Sequence, residues 1–214
     1  MTIAIVGAGN VGSTLGAAWV ARGHDVVFGV REPGAARVKA LVQQAGERAR
    51  AAGVRDAVAA AEVALLATPW DATEAAVRSA GDWRSKVLID ATNPLTADLS
   101  LAIGHTTSAG KQVAGWATGA RVVKAFNTIG SVHMAAPTFG GERASMFLCG
   151  DDAGAKTTVA GLARDLGFDP VDAGPLRQAR LLEPLAMLWI SMALVYGHGP
   201  GIAFRLLRKE EGGQ

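Results

Sequence analysis

Gly7, Gly9 and Gly12 stand at the spacing G-x-G-x-x-G, directly after the apolar run Thr2-Ile3-Ala4-Ile5-Val6 and directly before a segment with helical patterning. Between a strand and a helix, that spacing gives each glycine a task. The first permits a tight turn, the second lets the backbone approach a pyrophosphate, and the third lets the helix pack close to the strand. The helix start behind them offers free N–H groups and a positive dipole end to phosphates. Gly7, Ala8, Gly9, Asn10, Val11 and Gly12 are therefore the expected dinucleotide cradle; the bland alternative is a tight strand–helix turn that holds no ligand.

A second feature bears on which dinucleotide. The run Val26-Val27-Phe28-Gly29 ends in Val30-Arg31, and Arg31 lies nineteen residues after Gly12. An NAD site carries Asp or Glu about twenty residues beyond the glycines, to hold the ribose 2′-hydroxyl. Here an arginine stands in that place, which suits a 2′-phosphate. Val30 and Arg31 are expected to select NADP, with Arg37 as a second phosphate contact and Glu32 pointing away.

The reacting end should lie at the loops that close the later strands: Thr68-Pro69-Trp70, Asn93-Pro94 and Asn127-Thr128-Ile129. All eight of these positions are expected as cofactor contacts, and Asn127 is equally readable as a turn residue. Lys124, inside an apolar strand, reads as a snorkelling side chain or a proton donor. His133 is a weaker candidate for a catalytic role. His24, His105 and His198 are scattered and form no metal-ligand spacing. This sparse chemistry fits hydride transfer, in which the nicotinamide carries the reaction and the protein binds, aligns and excludes water. A flavin-like acceptor would need no protein acid; a carbonyl or imine would need Lys124 or His133.

Composition narrows the class. The chain has 214 residues, half of them hydrophobic and 19% charged, with a formal net charge of +2. It can bury a real core, and no basic stripe suggests nucleic acid. Single Cys149 excludes an internal disulfide framework and fits a reducing, cytoplasmic setting, where it reads as a small core residue. The apolar segment 181–204 has a clean run of about a dozen residues, short of the ~20 a bilayer needs, so a buried helix and no membrane span is expected.

Strand and helix signals alternate along the chain. Strands are expected at 2–6, 26–29, 63–67, 86–90, 121–126, around Met146 and at 170–172. Helices are expected after Gly12, at 35–52, 56–61, 71–80 with Asp71 as cap, 108–116 with Ser108 as cap, 152–166 and 176–196. This alternation predicts an α/β fold with a doubly wound, mostly parallel sheet. Ligands then sit beyond the carboxyl ends of the strands, where the five polar loops should line one crevice.

With these motifs stand Cys149-Gly150-Asp151-Asp152, Asp172-Ala173-Gly174-Pro175-Leu176 and Ala179-Arg180-Leu181-Leu182-Glu183. In this order, and through the ending Gly199-Pro200-Gly201-Ile202-Ala203-Phe204, the chain resembles the NADP-dependent reductases typified by the F420:NADP oxidoreductases. The resemblance implies a Rossmann NAD(P)-binding domain (1–174) with a small C-terminal helical extension (175–214) packed on it. It implies NADP at Ala8 to Val11 and at Val30-Arg31, and a deazaflavin, coenzyme F420, stacked on the nicotinamide near the Asn127 loop and the C-terminal helix. Hydride would pass directly between the rings. Val30 departs from the family pattern, which has a small hydroxyl residue there, and one hydrogen bond to the 2′-phosphate is lost. Alternatives are a hydroxyacid dehydrogenase or imine reductase using Lys124 and Asn127, a ferric or flavin reductase, and a non-catalytic NADP-binding redox sensor. The helix 176–196 is apolar on most faces, which predicts burial and a homodimer contact, with Trp189 in the interface. The polar tail 208–214 is expected to fray.

Overall fold

Alternate residues of β1 (Thr2–Val6) face two different cores, and this sets the whole architecture. The computed structural model describes residues 1–104 and 106–209; His105 and residues 210–214 of the polar tail lie outside the described residues. In chain order follow α1 (Asn10–Ala21), β2 (Asp25–Gly29), α2 (Ala36–Ala45), β3 (Ala49–Ala52), α3 (Val54–Ala59), β4 (Val63–Leu66), α4 (Trp70–Ser79) and β5 (Val87–Asp90). Then come α5 (Ala109–Trp116), β6 (Arg121–Lys124), β7 (Thr138–Phe139), β8 (Glu142–Arg143), β9 (Ser145–Gly150), α6 (Ala153–Asp165), β10 (Asp169–Asp172) and α7 (Ala179–Ile190).

The main sheet runs β10-β9-β6-β5-β4-β1-β2-β3. All neighbouring pairs are parallel except β6 with β9. The segment β3-β2-β1-β4-β5-β6 is the doubly wound dinucleotide order, with its switch point between β1 and β4. Ile3 and Ile5 pack with Leu15 and Trp19 of α1 and Val159 and Leu162 of α6 on one face. Ala4 and Val6 pack with Val58, Val77 and Val113 on the other. The fold class read from the sequence holds.

Several elements differ from expectation. The helix expected over 35–52 ends at Ala45, where Gly46 takes φ +108, and Ala49–Ala52 then pairs with β2 as the parallel edge strand β3. Alanine and arginine favour helix, but ladder pairing overrides that weak preference. Asp71 is not a cap: α4 starts at Trp70 with Pro69 at the N-cap, and Asp71 lies in its first turn. Helix α3 starts at Val54 rather than Asp56. The caps at Ser108 and Asp152 do form, accepting from Lys111 N and Ala155 N. The sixth strand stops at Lys124 because Phe126 adopts φ +61. The hairpin of β7 and β8, turning on Gly140-Gly141 at positive φ, was not expected, although a Gly-Gly pair suits such a turn.

The C-terminal helix is broken into a 3₁₀ turn (Leu176–Gln178), α7 with Pro184 inside it, and a π turn (Ser191–Val195). The stretch Leu176–Val195 is, by length and composition, long and apolar enough to cross a membrane. It is not apolar and buried all round. Leu182, Ala186 and Trp189 are buried, whereas Leu181, Leu188, Leu194, Val195 and Tyr196 are exposed. Trp189 packs over Gly130 and donates to Ile202 O at 2.8 Å, so it belongs to the fold rather than to an uncovered face. Beyond it the chain returns to the sheet, where Phe204 O accepts from Ser145 N at 3.0 Å.

Candidate functional site

Parallel β1, β2, β4, β5 and β6 bring the loops that follow them to one edge of the sheet, so the five loops expected to line a crevice are neighbours. Gly7 N donates to Gly29 O, and Gly7 turns at φ +104. A Cβ on Gly7 would lie 2.5 Å from Ala67 O in the loop after β4. At Gly12 a Cβ would stand 2.0 Å from Gly7 O, whereas at Gly9 it would meet nothing within 4 Å. Two glycines are thus filled by protein and the middle one faces open space, which is the arrangement a backbone approached by a pyrophosphate requires. Gly9 is the N-cap of α1 and contributes no side-chain cap. The first-turn N–H groups of α1 have no intrahelical acceptors and are available to an anion.

Val30 is half-buried, with its N–H on Ala52 O at 3.0 Å, and Arg31, Glu32 and Arg37 are exposed. Among the described residues neither Arg31 nor Arg37 enters an ion pair. In the next loop Thr68 Oγ1 lies 2.9 Å from Thr73 Oγ1, and Pro69 O accepts from Thr73. The Trp70 ring packs on Trp116 of α5, with centroids 5.5 Å apart.

At the loops after β5 and β6, Asn93 and Asn127 hold each other. Asn93 Nδ2 donates to Asn127 O at 3.0 Å, and Asn127 Nδ2 donates to Asn93 Oδ1 at 3.2 Å and to Leu182 O at 3.1 Å. Two oxygen acceptors fix the orientation of the Asn127 amide. Its Oδ1 is the buried side-chain polar atom left without a partner among the described residues. Such an orphan costs about 1–3 kcal/mol unless a ligand or solvent donor meets it. The strained Phe126, wedged edge-on against Trp19 and Phe168, makes the turn that presents Asn127. Pro94 is buried and its carbonyl accepts from Ala102 N, while Thr128 and Ile129 are buried with Ile129 in the main core.

Of the two candidate proton donors, Lys124 is closed off from the crevice. Lys124 does not snorkel: it is fully buried, with Nζ 3.0 Å from Asp90 Oδ2, 3.1 Å from Glu183 Oε1 and 2.5 Å from Thr92 O. Burial disfavours its charge, but the two carboxylates outweigh that and hold its pKa above the ordinary lysine value. His133 packs against Phe139, ring centroids 5.0 Å apart. Asp90 and Glu183 are the site-adjacent residues that sequence reasoning missed; the available signal was two acids at positions otherwise patterned as core. Cys149 is buried, its thiol pushed up to about 12 mainly by burial, as suits a core residue. Among the described residues no cluster of three or more His, Cys, Asp or Glu could hold a metal.

The open cradle at Gly9, the uncapped α1 start and the orphaned Asn127 oxygen fit a bound dinucleotide at both ends. Comparison with known proteins agrees. Residues 2–94 match the family described as NADP oxidoreductase, coenzyme F420-dependent. A crystal structure from Arthrobacter sp. FB24, assigned by inference as an F420-dependent NADP reductase, is 32% identical and superposes with a TM-score of 0.90, covering 97% of this chain and 100% of that one. The rat metalloreductase STEAP3 is 31% identical over 188 residues, covering 87% of this chain but only 37% of the relative's length. A reductive aminase from Aspergillus terreus, solved with NADPH and ethyl levulinate, shares the fold at 21% identity, TM-score 0.68, over 92% of this chain and 62% of that one. The chain is an NADP-dependent oxidoreductase and belongs to the coenzyme F420-dependent NADP oxidoreductase family.

Proposed function

We propose that the protein passes a hydride directly between NADP(H) and a flavin-like acceptor, with coenzyme F420 as that acceptor. The observation that carries this reading is the chemistry of the crevice floor. Asn93 and Asn127 meet there as two neutral amides, and Lys124, Asp90 and Glu183, which the chain ties to them, are fully buried. Such a floor positions a carboxamide and a ring but supplies no proton. Bound NADPH supplies the hydride; the reaction balances as NADPH, oxidised acceptor and one proton giving NADP⁺ and reduced acceptor, the proton coming from solvent. In this reading Gly7 to Gly12 hold the pyrophosphate, Val30 and Arg31 the 2′-phosphate end, and Thr68, Pro69, Trp70, Asn93, Pro94, Asn127, Thr128 and Ile129 border the nicotinamide ribose and ring. The resemblance to a metalloreductase favours a second acceptor class, a ferric chelate.

The test is NADPH oxidation with F420, FMN, FAD or ferric citrate offered separately. Loss of deazaflavin absorbance stoichiometric with NADPH is expected. Turnover with flavin or iron alone would reassign the acceptor, and turnover with none would return the choice to a carbonyl or imine.

We further propose a cytoplasmic homodimer with no nucleic-acid or membrane partner, built on the face of α7 that the sheet does not cover. Leu181 and Leu188 stand seven residues apart along it and are 59% and 51% exposed. Trp189, expected in the interface from the sequence, is internal, so Trp189→Asp would destabilise the fold itself. Leu188→Asp should instead halve the mass measured by light scattering and leave the melting temperature of the protomer nearly unchanged. A wild-type monomer, or flotation of the wild type with lipid vesicles, would rule this assembly out.

A further inference from the structure

Three fully buried charged side chains lie directly under the amide floor: Asp90 at the end of β5, Lys124 at the end of β6 and Glu183 in α7. Each is tied by the chain to the floor. Thr92 O, which accepts from Lys124, immediately precedes Asn93; Lys124 stands three residues before Asn127; and Leu182 O, which accepts from Asn127, immediately precedes Glu183. Their hydrogen bonds define their charge. Asp90 Oδ1 accepts from Thr92 N and Thr92 Oγ1, and Oδ2 from Lys124. Glu183 Oε2 accepts from Ala109 N, and Oε1 from Gly110 N and Lys124. Every carboxyl oxygen faces donors, so both groups are carboxylates. Two carboxylates against one ammonium leave one excess negative charge, shared with the first-turn N–H groups of α5.

We propose that this buried excess charge sets the redox bias of the site, holding oxidised coenzyme more tightly, relative to reduced coenzyme, than a neutral cluster would. The inference rests on the reading that Asn93 and Asn127 border the nicotinamide. Loss of one hydride leaves the nicotinamide ring with a positive charge, whereas the dihydronicotinamide is neutral. A nearby negative charge in a medium shielded from water therefore favours the oxidised ring and makes bound NADPH the stronger donor. Lys124 has its place in this arrangement: it allows two carboxylates to be buried together while cancelling only one of them.

The experiment is calorimetric binding of NADP⁺, NADPH and adenosine 2′,5′-bisphosphate to the wild type and to Glu183→Gln, Asp90→Asn and Glu183→Asp. The bisphosphate carries no nicotinamide and reports the other half of the site alone. Both neutralising variants should raise the ratio of the NADP⁺ to the NADPH dissociation constant roughly three- to tenfold, the scale of one charge acting through partly screened protein. Glu183→Asp, which keeps the charge, should leave the ratio unchanged, and the bisphosphate constant should not move in any variant. An unchanged ratio in folded, bisphosphate-binding Glu183→Gln and Asp90→Asn overturns the proposal. Should neither fold, the triple variant Asp90→Asn/Lys124→Met/Glu183→Gln, which removes the whole ion cluster and leaves no unpaired buried charge, carries the test: the ratio should rise by the same factor, and an unchanged ratio overturns the proposal. A wild type that binds none of the three ligands overturns the coenzyme site itself, and this inference with it.

Discussion

Arg31→Ala is expected to raise the NADPH dissociation constant roughly 10- to 100-fold, the range of a charge-assisted hydrogen-bond pair of about 1.5–3 kcal/mol, while NADH binding stays within about twofold. The argument starts from position. Val30 leaves β2 beside the glycine turn, held by its N–H on Ala52 O, and Arg31 follows it into solvent. Exposed and without an ion-pair partner among the described residues, Arg31 contributes little to the fold, so the melting temperature should not move. Its guanidinium matches a phosphate bidentately, and a lysine has no such fork, so Arg31→Lys should recover only part of the affinity. Rising salt should narrow the wild-type preference for NADPH over NADH, because a surface phosphate contact is screened. Equal losses for the two coenzymes would remove Arg31 from the phosphate site and pass the role to Arg37.

Much of this site was legible because its signals are local. An apolar strand, three spaced glycines and a helix start lie within one short segment, and the physical need for each glycine can be read from its neighbours. The parallel sheet follows from the alternation of strands and helices, and with it the convergence of the five loops. What stayed hidden is what depends on pairing at a distance. Asp90, Lys124 and Glu183 come from two strands and a helix, and nothing local marks them as one cluster. Edge strand β3 is Ala49-Arg50-Ala51-Ala52, a helical composition that only pairing with β2 turns into a strand. The C-terminal helix is apolar on most faces, so its pattern could not choose between Leu188 and Trp189 as the outward residue. Closure of the chain over Trp189, through Ile202 O, makes that choice. Lys124 had the right chemistry for proton donation, and complete burial between two carboxylates withdraws it.

Gly9→Ala and Gly12→Ala should separate binding from folding within one motif. Gly9 has φ −82, an ordinary value for any residue, and an added Cβ meets no protein atom within 4 Å. The fold should therefore tolerate alanine there, losing under about 1 kcal/mol from the poorer N-cap. Coenzyme affinity should nonetheless fall at least about tenfold, because the methyl occupies the space in which a pyrophosphate must approach the backbone. Gly12 behaves in the opposite way. Its Cβ would stand 2.0 Å from Gly7 O and 3.0 Å from the Ile5 side chain. A backbone carbonyl cannot rotate aside as a side-chain tip can, so α1 must lift from β1 and open the contacts of Leu15 and Trp19 with the sheet. Overpacking of this kind costs at least about 2 kcal/mol, which for a chain of this size lowers the melting temperature by roughly 4–8 °C or more. Thermal melts and NADPH titrations on the two variants check both halves. If Gly9→Ala bound NADPH like the wild type, the middle glycine would be a spectator and the phosphates would have to rest elsewhere than on the start of α1.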